Sequence, residues 1–577
     1  MYNLTDEQRK KLVEIVGEEN ISTEPWQRDA YGIWFASQPR PDGEGVYWTE
    51  RAAAIITPRT VEQVQKITQY CNETDLMIHV TSTGQLVAGA ATFDHTLLLD
   101  MSRMDDIVSM DGENMTVVVE PFARSIDVQM QSWKKNCNPY VISIGAVGST
   151  LAAATSHTGY GSIGTSCGYG PRTLLGVEWV MPDGDVIRFG SAGQGSGWFT
   201  AAGPGPDLLG SIRGFNGAMG GLGAYTKAAI KMGPWYGPSE IGGDEIAFGC
   251  KTPSNFIKKG GLPKNMSLNT TIYPSMEAMS DAHYHMHEEN ICYSGSRMPA
   301  FVLAMAPLKD NASLVKEWES GFHKKIYGYT LSNQIQGASQ DEYEWKQKCF
   351  NKVVSDAGGI RMRGVLKMYP KIAEDIMKLF HAGLSPDEYR TLQLDIQARI
   401  DALPVTPIDI MAAGASTAAA LRNVDPGLAR PASAMFTLGG NLDTWDAGVV
   451  QNKLTMEIKE PYVTKGGILD DGVDTGCGNP YEGGHLGYTE NVFWVNRVNK
   501  NGAETLPKAI GDAVTEIQKG ISSFTISSGM NNERFGPYEF DYQIWTKRIK
   551  KILDPNDACD STTYSGSPDH KEVPMNG

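Results

Sequence analysis

A loop of small and polar residues at positions 81–90 could bind an anion. It reads T-S-T-G-Q-L-V-A-G-A and follows the apolar run M-I-H-V. Consecutive backbone N–H groups in such a loop can form a concavity for an anion, and Ser82, Thr83 and Gln85 could add side-chain donors. The loop matches neither the P-loop pattern nor the strict glycine pattern of dinucleotide-binding folds. An ordinary surface turn is the alternative interpretation.

A second stretch, residues 143–161, consists almost entirely of small residues and reads S-I-G-A-V-G-S-T-L-A-A-A-T-S-H-T-G-Y-G. Near its end, only His157 and Tyr160 have bulky side chains. Small residues, and glycine above all, allow the backbone to approach another surface closely. The stretch therefore indicates either tight internal packing or contact with a large flat ligand.

Three histidines at alternate positions, His283, His285 and His287, raise the question of a metal site. On a strand all three would share one face, whereas on a helix only the first and the last would do so. A solvated helix surface is the commoner explanation of such a pattern. The sequence analysis therefore predicts no metal site.

The composition narrows the classes of function. The chain has 577 residues and a net charge of −16, which argues against nucleic acid as a partner because phosphate binding needs basic surfaces. Eight cysteines are scattered without a C-x-x-C pair, as in proteins with reduced thiols. No signal-like apolar segment and no apolar run long enough for a membrane span is found, so we expect a cytoplasmic protein without a membrane span.

Strands and helices alternate in the first part of the chain. Apolar runs at 52–58, 77–81, 96–100 and 115–121 predict strands, and 61–71 and 125–135 predict helices. Thr5 and Thr60 are predicted helix caps. The turn Pro182-Asp183-Gly184 predicts a hairpin. This order is typical of an α/β unit.

The character of the chain changes near residue 236, where glycine clusters thin out and aromatic helical segments appear, for example 315–322, 342–353 and 372–381. We predict an N-terminal lead-in at 1–47, a ligand-binding domain at 48–235, an α+β domain at 236–520 and a C-terminal segment at 521–577. A helix at 540–549 is expected to stop before Asp554-Pro555-Asn556.

Taken in order, the pieces resemble the vanillyl-alcohol oxidase / p-cresol methylhydroxylase superfamily of FAD-dependent oxidoreductases. The pieces that carry the resemblance are A-A-A-I-I-T-P (52–58), T-S-T-G-Q-L-V-A-G-A (81–90), L-L-L-D-M-S-R-M (97–104), V-V-V-E-P (117–121), V-G-S-T (147–150), T-S-H-T-G-Y-G-S (155–162), L-G-V-E-W-V-M-P-D-G (175–184), G-G-L-G-A-Y-T (220–226) and L-D-P-N (553–556). The resemblance implies an α+β protein. Its PCMH-type FAD-binding domain would contain two α/β subdomains, and its α+β substrate or cap domain would be built on an antiparallel sheet.

The resemblance also implies which residues bind FAD. The first loop would hold the pyrophosphate, the small-residue stretch would lie along the flavin and ribityl chain, the turn before Tyr225 would meet the adenine side, and the C-terminal segment would return to the flavin domain. The implied cofactor residues are Ser82, Thr83, Gly84, Gln85, Leu86, Gly89, Pro121, Gly148, Ser149, Thr150, His157, Gly159, Gly161, Ser162, Gly223, Tyr225 and Asn556.

The sequence departs from parts of the family pattern. The first loop contains no histidine, so a histidyl–flavin bond in that loop is not expected. His157 either lies near the flavin or is a core residue. In the glycolate and D-lactate dehydrogenase branch, histidines resemble metal ligands; here one of them, His485, is kept, one is replaced by Asn531 and the last is missing. That ligand set is therefore incomplete, and no metal is predicted.

The chemistry implied by the resemblance is the oxidation of a small hydroxylated molecule with FAD as the redox group. Such a reaction needs a base for the proton, and a carboxylate or phenolate can be held by an arginine. The candidates are His485, Tyr488, Glu490, Asn532 and Arg534.

The substrate expected from the resemblance is a 2-hydroxy acid or a phenolic or benzylic alcohol, oxidised by a dehydrogenase. The alternatives are an oxygen-using oxidase of a sugar lactone or alcohol and an electron-relay flavoprotein subunit. An electron-acceptor protein and further copies of the chain are the expected partners.

Overall fold

The computed structural model describes residues 2–31, 51–84, 93–140, 148–156, 163, 167–168, 170–190, 208–212, 217, 220–237, 239, 263–297, 311–321, 328–362, 369–404, 434–464, 476–484, 486–495, 508 and 541–560. They form three β-sheets of four, six and seven strands. Each sheet draws its named strands from one continuous part of the chain. The predicted domain boundaries at 47/48, 235/236 and 520/521 stay predictions.

The first sheet has the strand order β1-β2-β4-β3. Its strands are β1 Ile21–Ser22, β2 Ala54–Ile56, β3 Met77–Thr81 and β4 Thr96–Asp100. β2 and β3 both run parallel to β4. The helix Val61–Asn72 connects β2 to β3, and Thr60 caps it by accepting the N–H of Gln63, as predicted. This confirms the α/β pattern expected for this part of the chain.

The second sheet is antiparallel and has β10 at its centre. Its strands are β5 Ile107–Asp111, β6 Thr116–Val119, β7 Cys137–Pro139, β8 Leu174–Val180, β9 Val186–Gly190 and β10 Ala224–Pro234. The predicted hairpin joins β8 to β9, and Gly184 has φ +86° in its turn. Glycine adopts this left-handed conformation without strain. Among the described residues of this part, the helices are Ser125–Trp133, Thr150–Thr155 and Leu209–Ile212.

The third sheet is antiparallel, with the order β14-β11-β13-β12-β16-β17-β15. Its strands are β11 Met266–Tyr273, β12 Ser294–Arg297, β13 Tyr329–Gln336, β14 Ile360–Met362, β15 Ala434–Asp443, β16 Gly476–Tyr481 and β17 Leu486–Val495. The helices that the structure describes in this part are Met276–Glu288, Asn311–Ser320, Gln340–Asp356, Pro370–His381, Pro386–Asp401 and Trp445–Thr464. The expected antiparallel cap sheet is therefore present, and the predicted helices at 342–353 and 372–381 lie within observed ones.

Helices also form both ends of the described chain. They are Asp6–Val16 and Pro25–Tyr31 at the start and Tyr542–Leu553 at the end. Thr5 caps the first in a capping box with Gln8, as predicted, and the last stops before Asp554, also as predicted. Among the described helices, none is long and apolar enough to cross a membrane.

A buried aromatic contact joins the second and third sheets. The indoles of Trp133 and Trp235 stack with centroids 4.9 Å apart, and Met266 of β11 packs on them. Asn138 accepts a hydrogen bond from Trp133 Nε1 at 2.9 Å and donates one to the Tyr293 hydroxyl at 3.1 Å. Because these polar groups are satisfied inside an apolar cluster, they fix one sheet against the other.

The histidine cluster differs from the predicted solvated helix surface. His283 and His287 lie on the buried face of the helix Met276–Glu288, and their rings are 4.7 Å apart, so the prediction is wrong for these two residues; His285 is exposed. Gly295 faces them: a Cβ there would lie 3.0 Å from His283 Nε2, 3.1 Å from His287 Nε2 and 2.7 Å from Asn333 Oδ1. Among the described residues, no group of three histidine, cysteine or acidic side chains could hold a metal ion.

The buried histidines make stability depend on acid pH. Burial lowers the pKa of His287 to about 3, and burial together with His287 and Arg297 holds the pKa of His283 well below its usual value. Below about pH 6.5 the unfolded chain binds protons that the folded chain excludes, so the free energy of unfolding should fall as pH falls, by up to about 1.4 kcal/mol per pH unit for each imidazole. We expect His287→Gln to flatten this slope in denaturant titrations between pH 7 and 4.5. The exposed neighbour provides the control: His285→Gln should leave the slope unchanged, and equal slopes in all three proteins would contradict the assignment.

Candidate functional site

The loop after β3 presents open backbone. Ser82 and Thr83 are half-buried, Gly84 is exposed, and Gly84 has φ +63°. The nearest atom to the position of a Cβ on Gly84 is Thr81 Oγ1, 3.9 Å away. Residues 82–84 carry hydroxyls and backbone N–H groups and no carboxylate, which fits a pyrophosphate. The predicted cofactor residues Gln85, Leu86 and Gly89 lie outside the described residues.

Three predicted cofactor segments meet at Ser149. Its backbone N–H donates to Thr83 Oγ1 at 3.1 Å, and its hydroxyl donates to the carbonyl of Pro121 at 2.6 Å. The same hydroxyl accepts the N–H of Ala152 at 2.9 Å and so caps the helix Thr150–Thr155. The structure thus brings together Thr83, Pro121 and Ser149, which are far apart in sequence. Their neighbours Gly148 and Thr150 are buried.

Of the remaining predicted cofactor residues in glycine-rich segments, only some are described by the structure. His157, Gly159, Gly161 and Ser162 lie outside the described residues. Gly223 is described and has φ +104°; a Cβ there would lie 2.2 Å from the carbonyl oxygen of Val180, so only glycine fits this turn.

Tyr225 follows this turn at the start of β10. Its side chain is buried against Trp179, with ring centroids 5.8 Å apart, and Trp179 Nε1 donates to the carbonyl of Leu222 at 2.7 Å. Its ring therefore belongs to the core of the second sheet, and the turn before it can offer backbone groups to a ligand.

The C-terminal part of the described chain contacts β3 and the turn before Gly223. We call its contacting residues, Lys550, Asp554 and 558–560, the clasp. The buried Lys550 Nζ forms an ion pair with Asp554 and donates to the carbonyls of Cys559 at 2.8 Å and Gly221 at 3.2 Å. Asp554 accepts the N–H groups of Ala558 at 2.8 Å and Cys559 at 2.9 Å. Lys550 therefore links residues 554–559 to the turn that precedes Gly223.

The clasp also extends the first sheet. The N–H of Ile78 donates to the carbonyl of Ala558 at 2.8 Å, and the N–H of Asp560 donates to the carbonyl of Ile78 at 2.9 Å, which is a parallel pairing beside β3. Asp560 Oδ2 lies 3.4 Å from His79 Nδ1, with both side chains buried. Since β3 leads directly into residues 82–84, the clasp supports the loop from its outer edge.

The resemblance implied that Asn556 of the C-terminal segment contacts FAD. Its side chain is exposed and donates to Asn72 Oδ1 at 3.1 Å, so the described contact of Asn556 is with the helix Val61–Asn72. The residues that sequence reasoning missed are Lys550 and Asp554. Their spacing of four at the end of a helix was a signal for an ion pair, and the burial of the pair could not be read from sequence.

The third sheet has two different faces. Leu331 and Ile335 of β13 pack with the helices Met276–Glu288 and Gln340–Asp356, and Thr489 of β17 lies against Gly448 of the helix Trp445–Thr464. Alternate residues on a strand point to opposite faces. The other face therefore carries the neighbours of these residues, and Met266 on it contacts Trp133 and Trp235 of the second sheet.

This second face, which we call the polar face, is buried and rich in neutral polar groups. The pairing registers Ser294↔Gln334, Ser296↔Ser332 and Asn479↔Tyr488 place residues of four adjacent strands on it. The buried polar side chains described on this face include Ser294, Ser296, Thr330, Ser332, Gln334, Gln336, Asn479, Tyr481 and Tyr488, and the register also places position Glu490 on it.

The five predicted catalytic residues have unequal outcomes. Tyr488 lies on the polar face, where its ring stacks on that of Tyr481 with centroids 6.3 Å apart. The backbone of Glu490 pairs with Cys477 two positions further along β17. His485, Asn532 and Arg534 lie outside the described residues.

Comparison with known proteins identifies the first part of the chain. Residues 52–190 match the family described as FAD binding domain. The chain is 25% identical over 236 residues to the glycolate oxidase subunit GlcD of Bacillus subtilis, which covers 40% of this chain and 46% of the relative. It is 30% identical over 155 residues to the 4-cresol dehydrogenase [hydroxylating] flavoprotein subunit of Pseudomonas putida, which covers 24% of this chain and 27% of the relative. The matches thus span less than half the length of these relatives.

Solved structures extend the likeness of the fold to the whole chain. The structure of p-cresol methylhydroxylase with substrate bound superposes with a TM-score of 0.64 at 15% identity, covering 97% of this chain and 96% of that one. The 4-ethylphenol oxidase from Gulosibacter chungangensis gives 0.63 at 14% identity, covering 98% of both chains. The chain therefore has their fold, and the segments that meet at Ser149 belong to the range 52–190 that matches the FAD binding domain.

Removing the cation of the clasp should loosen the cofactor site. Lys550→Met leaves the buried Asp554 carboxylate without its ion-pair partner, which typically costs about 3–5 kcal/mol. We expect a lower melting temperature and loss of FAD during gel filtration. Lys551→Met is the control, because Lys551 is exposed on the same helix. Equal FAD retention in the two variants would contradict the supporting role of the clasp.

Ser149→Ala tests the meeting point of the cofactor segments. The change removes a helix cap and the bond to Pro121, and losing a cap costs about 1–2 kcal/mol. We expect weaker FAD retention, measured by flavin fluorescence in the filtrate after dilution. Ser385→Ala removes a comparable cap from the helix Pro386–Asp401 and should lower stability without releasing FAD. Release from both variants alike would point to global destabilisation.

Proposed function

We propose that this chain, which belongs to the vanillyl-alcohol oxidase / p-cresol methylhydroxylase superfamily of FAD-binding proteins, is an FAD-dependent oxidoreductase that oxidises a small hydroxylated molecule. One observation carries the proposal. The segments that the sequence assigns to FAD meet at Ser149 in a domain that matches an FAD-binding family, and a buried polar face lies on the neighbouring sheet.

The residues of the chain have separate tasks in this proposal. The backbone of residues 82–84 and of the turn before Gly223 would hold the phosphate-bearing part of FAD, and the clasp would keep both in place. FAD, when bound, takes up the two electrons that leave the substrate. The substrate loses one C–H and one O–H hydrogen and becomes a carbonyl compound. A base must take the hydroxyl proton, and His485 is our candidate.

Tyr488 is the proposed catalytic residue whose side chain is described, and it is buried on the polar face. Its position on the polar face would allow its hydroxyl to orient the substrate by a hydrogen bond. Glu490, Asn532 and Arg534 complete the proposed set. The cofactor roles of Ser82, Gln85, Leu86, Gly89, His157, Gly159, Gly161, Ser162, Tyr225 and Asn556 are likewise part of the proposal.

The partners follow from the same proposal. The relative from Pseudomonas putida is a flavoprotein subunit, which supports an electron-acceptor protein as a partner here. The cytoplasmic location and the assembly of several copies remain predictions from the sequence.

Anaerobic reduction tests the function. We expect at least one small hydroxylated compound to bleach the visible absorption of the bound flavin when air is excluded, with a matching amount of carbonyl product. Slow recovery of colour in air would favour a dehydrogenase over an oxidase. If only a reduced partner protein bleached the flavin and no small molecule did, the chain would be an electron relay and the proposal would be wrong.

A further inference from the structure

We infer that the last described helix, Tyr542–Leu553, docks this protein on a membrane surface that carries anionic lipids. The inference concerns the outside of the protein, so it does not rest on the proposed function. Three properties of the helix carry it: the side chains that it exposes, its charge, and the small size of the exposed surface.

The helix Tyr542–Leu553 has one face bound to the protein and one face exposed. Ile549 and Leu553 pack on the core of the second sheet, and Lys550 is buried on the same side. At about 3.6 residues per turn, five exposed residues fall together on the opposite side. They are Ile544, Trp545, Arg548, Lys551 and Ile552, and we call them the outer stripe.

The apolar members of the outer stripe protrude from the protein. Ile552, Trp545 and Ile544 are 77%, 57% and 43% exposed. Single exposed apolar residues are common, but three on one stripe of a helix indicate an interaction surface. The guanidinium of Arg548 lies 5.0 Å from the ring centroid of Trp545, and this cation–π contact orients the indole. Tryptophan is also the residue type that membrane–water interfaces favour.

The charge of the helix is opposite to that of the chain. Its 12 residues include four cations and no acid, whereas the whole chain has a net charge of −16. Lys550 belongs to the clasp, but neither Arg548 nor Lys551 has a carboxylate partner among the described residues. Cations that lie beside apolar side chains match lipid phosphates that lie beside acyl chains.

A second helix with an exposed tryptophan shows why both properties are needed. Trp345 of the helix Gln340–Asp356 is 51% exposed. That helix contains four acids and three lysines, so it offers no excess of positive charge to an anionic surface. The helix Tyr542–Leu553 differs because its exposed apolar residues lie among cations alone.

The size of the outer stripe favours a membrane over an acidic protein as the occupant. Its ends, positions 544 and 552, are about 12 Å apart along the helix at about 1.5 Å per residue. A stable protein interface buries about 800 Å² on each partner, which a single stripe of this length does not supply. An interfacial helix needs only to insert its apolar side chains between lipids while its cations stay with the phosphates.

The acidic remainder of the protein allows this docking at physiological salt. Charges that lie farther from the membrane than the Debye length, about 8 Å at about 0.15 M salt, are largely screened. The exposed acids nearest to the helix in sequence, Asp541 and Asp557, flank its two ends. We therefore expect reversible binding that depends on salt.

Vesicle sedimentation tests the inference with the full chain loaded with FAD. Vesicles of phosphatidylcholine alone are compared with vesicles in which phosphatidylglycerol makes up about a third of the lipid. We expect the protein to sediment with the anionic vesicles at about 0.1 M salt and much less with the neutral ones. Binding should fall about tenfold or more at about 1 M salt, where the Debye length is about 3 Å.

Substitutions in the outer stripe separate a specific surface from general adhesion. Trp545→Gln should lower the partition onto anionic vesicles about tenfold, because it removes the largest apolar side chain of the stripe. The double variant Arg548→Glu with Lys551→Glu should lower it by about tenfold or more. FAD retention should stay unchanged in these variants, because all three side chains are exposed and lie outside the clasp.

The helix Gln340–Asp356 provides the matched control. Trp345→Gln with Lys348→Glu changes an exposed indole and an exposed cation that are three positions apart, as Trp545 and Arg548 are. This variant should bind the anionic vesicles as the wild type does.

The other outcomes would overturn the inference. They are a wild-type protein that does not sediment with anionic vesicles at about 0.1 M salt, and equal binding by the wild type and the outer-stripe variants. Co-elution with poly-L-glutamate that the stripe variants lose, without vesicle binding, would make an acidic protein the occupant. None of these results depends on whether a small hydroxylated compound bleaches the flavin, so the proposed function is tested separately.

Discussion

The ion pair between Lys550 and Asp554 is the interaction that holds residues 558–560 next to β3 and the turn before Gly223. A buried ammonium group is stable only when its charge and its donors are matched, and here a carboxylate and two carbonyls match them. The same carboxylate fixes the backbone of residues 558–560. The clasp therefore holds three elements at once: the chain end, the edge of β3 and the turn before Gly223.

A buried aromatic contact complements the clasp. The stacked Trp133 and Trp235, with Met266 and the Asn138 network, hold the third sheet against the second. In the proposed function, a substrate must keep a fixed distance from the bound cofactor, because misplacement by about 1 Å can lower the rate about a hundredfold. The aromatic contact would contribute to that distance by holding the third sheet against the second.

The parts of the fold that sequence predicted well are those set by local patterns. The cap at Thr60, the hairpin at Gly184 and the parallel strands β2–β4 follow from residue types within a few positions. The meeting of Thr83, Pro121 and Ser149 followed only from the resemblance, because nothing in the local sequence of one segment identifies the others. Lys550 and Asp554 were missed because burial, which gives their pairing its strength, is a property of the tertiary structure.

The third sheet shows a different limit. Its polar face was not predicted, because alternation in β13 places polar residues on both faces: Asn333 lies among the helices and Gln334 on the other side. The burial of His283 and His287 was missed for the same reason, because a polar residue type does not show whether its side chain is buried. Tyr488 was chosen for its chemistry, and only the strand register shows which face it occupies.

Because residues 558–560 pair with β3, the edge of the first sheet is completed by a segment that is synthesised late. Asn72 and Asn556, which touch at this edge, are 484 positions apart. During synthesis, β3 therefore remains an open edge of the first sheet until residues 558–560 have been made, and open edges invite wrong pairing. Contacts between such distant segments form late because of the entropy of closing a long loop. The clasp would thus form only after residues 558–560 are made, and a chain cut before residue 550 would lack it.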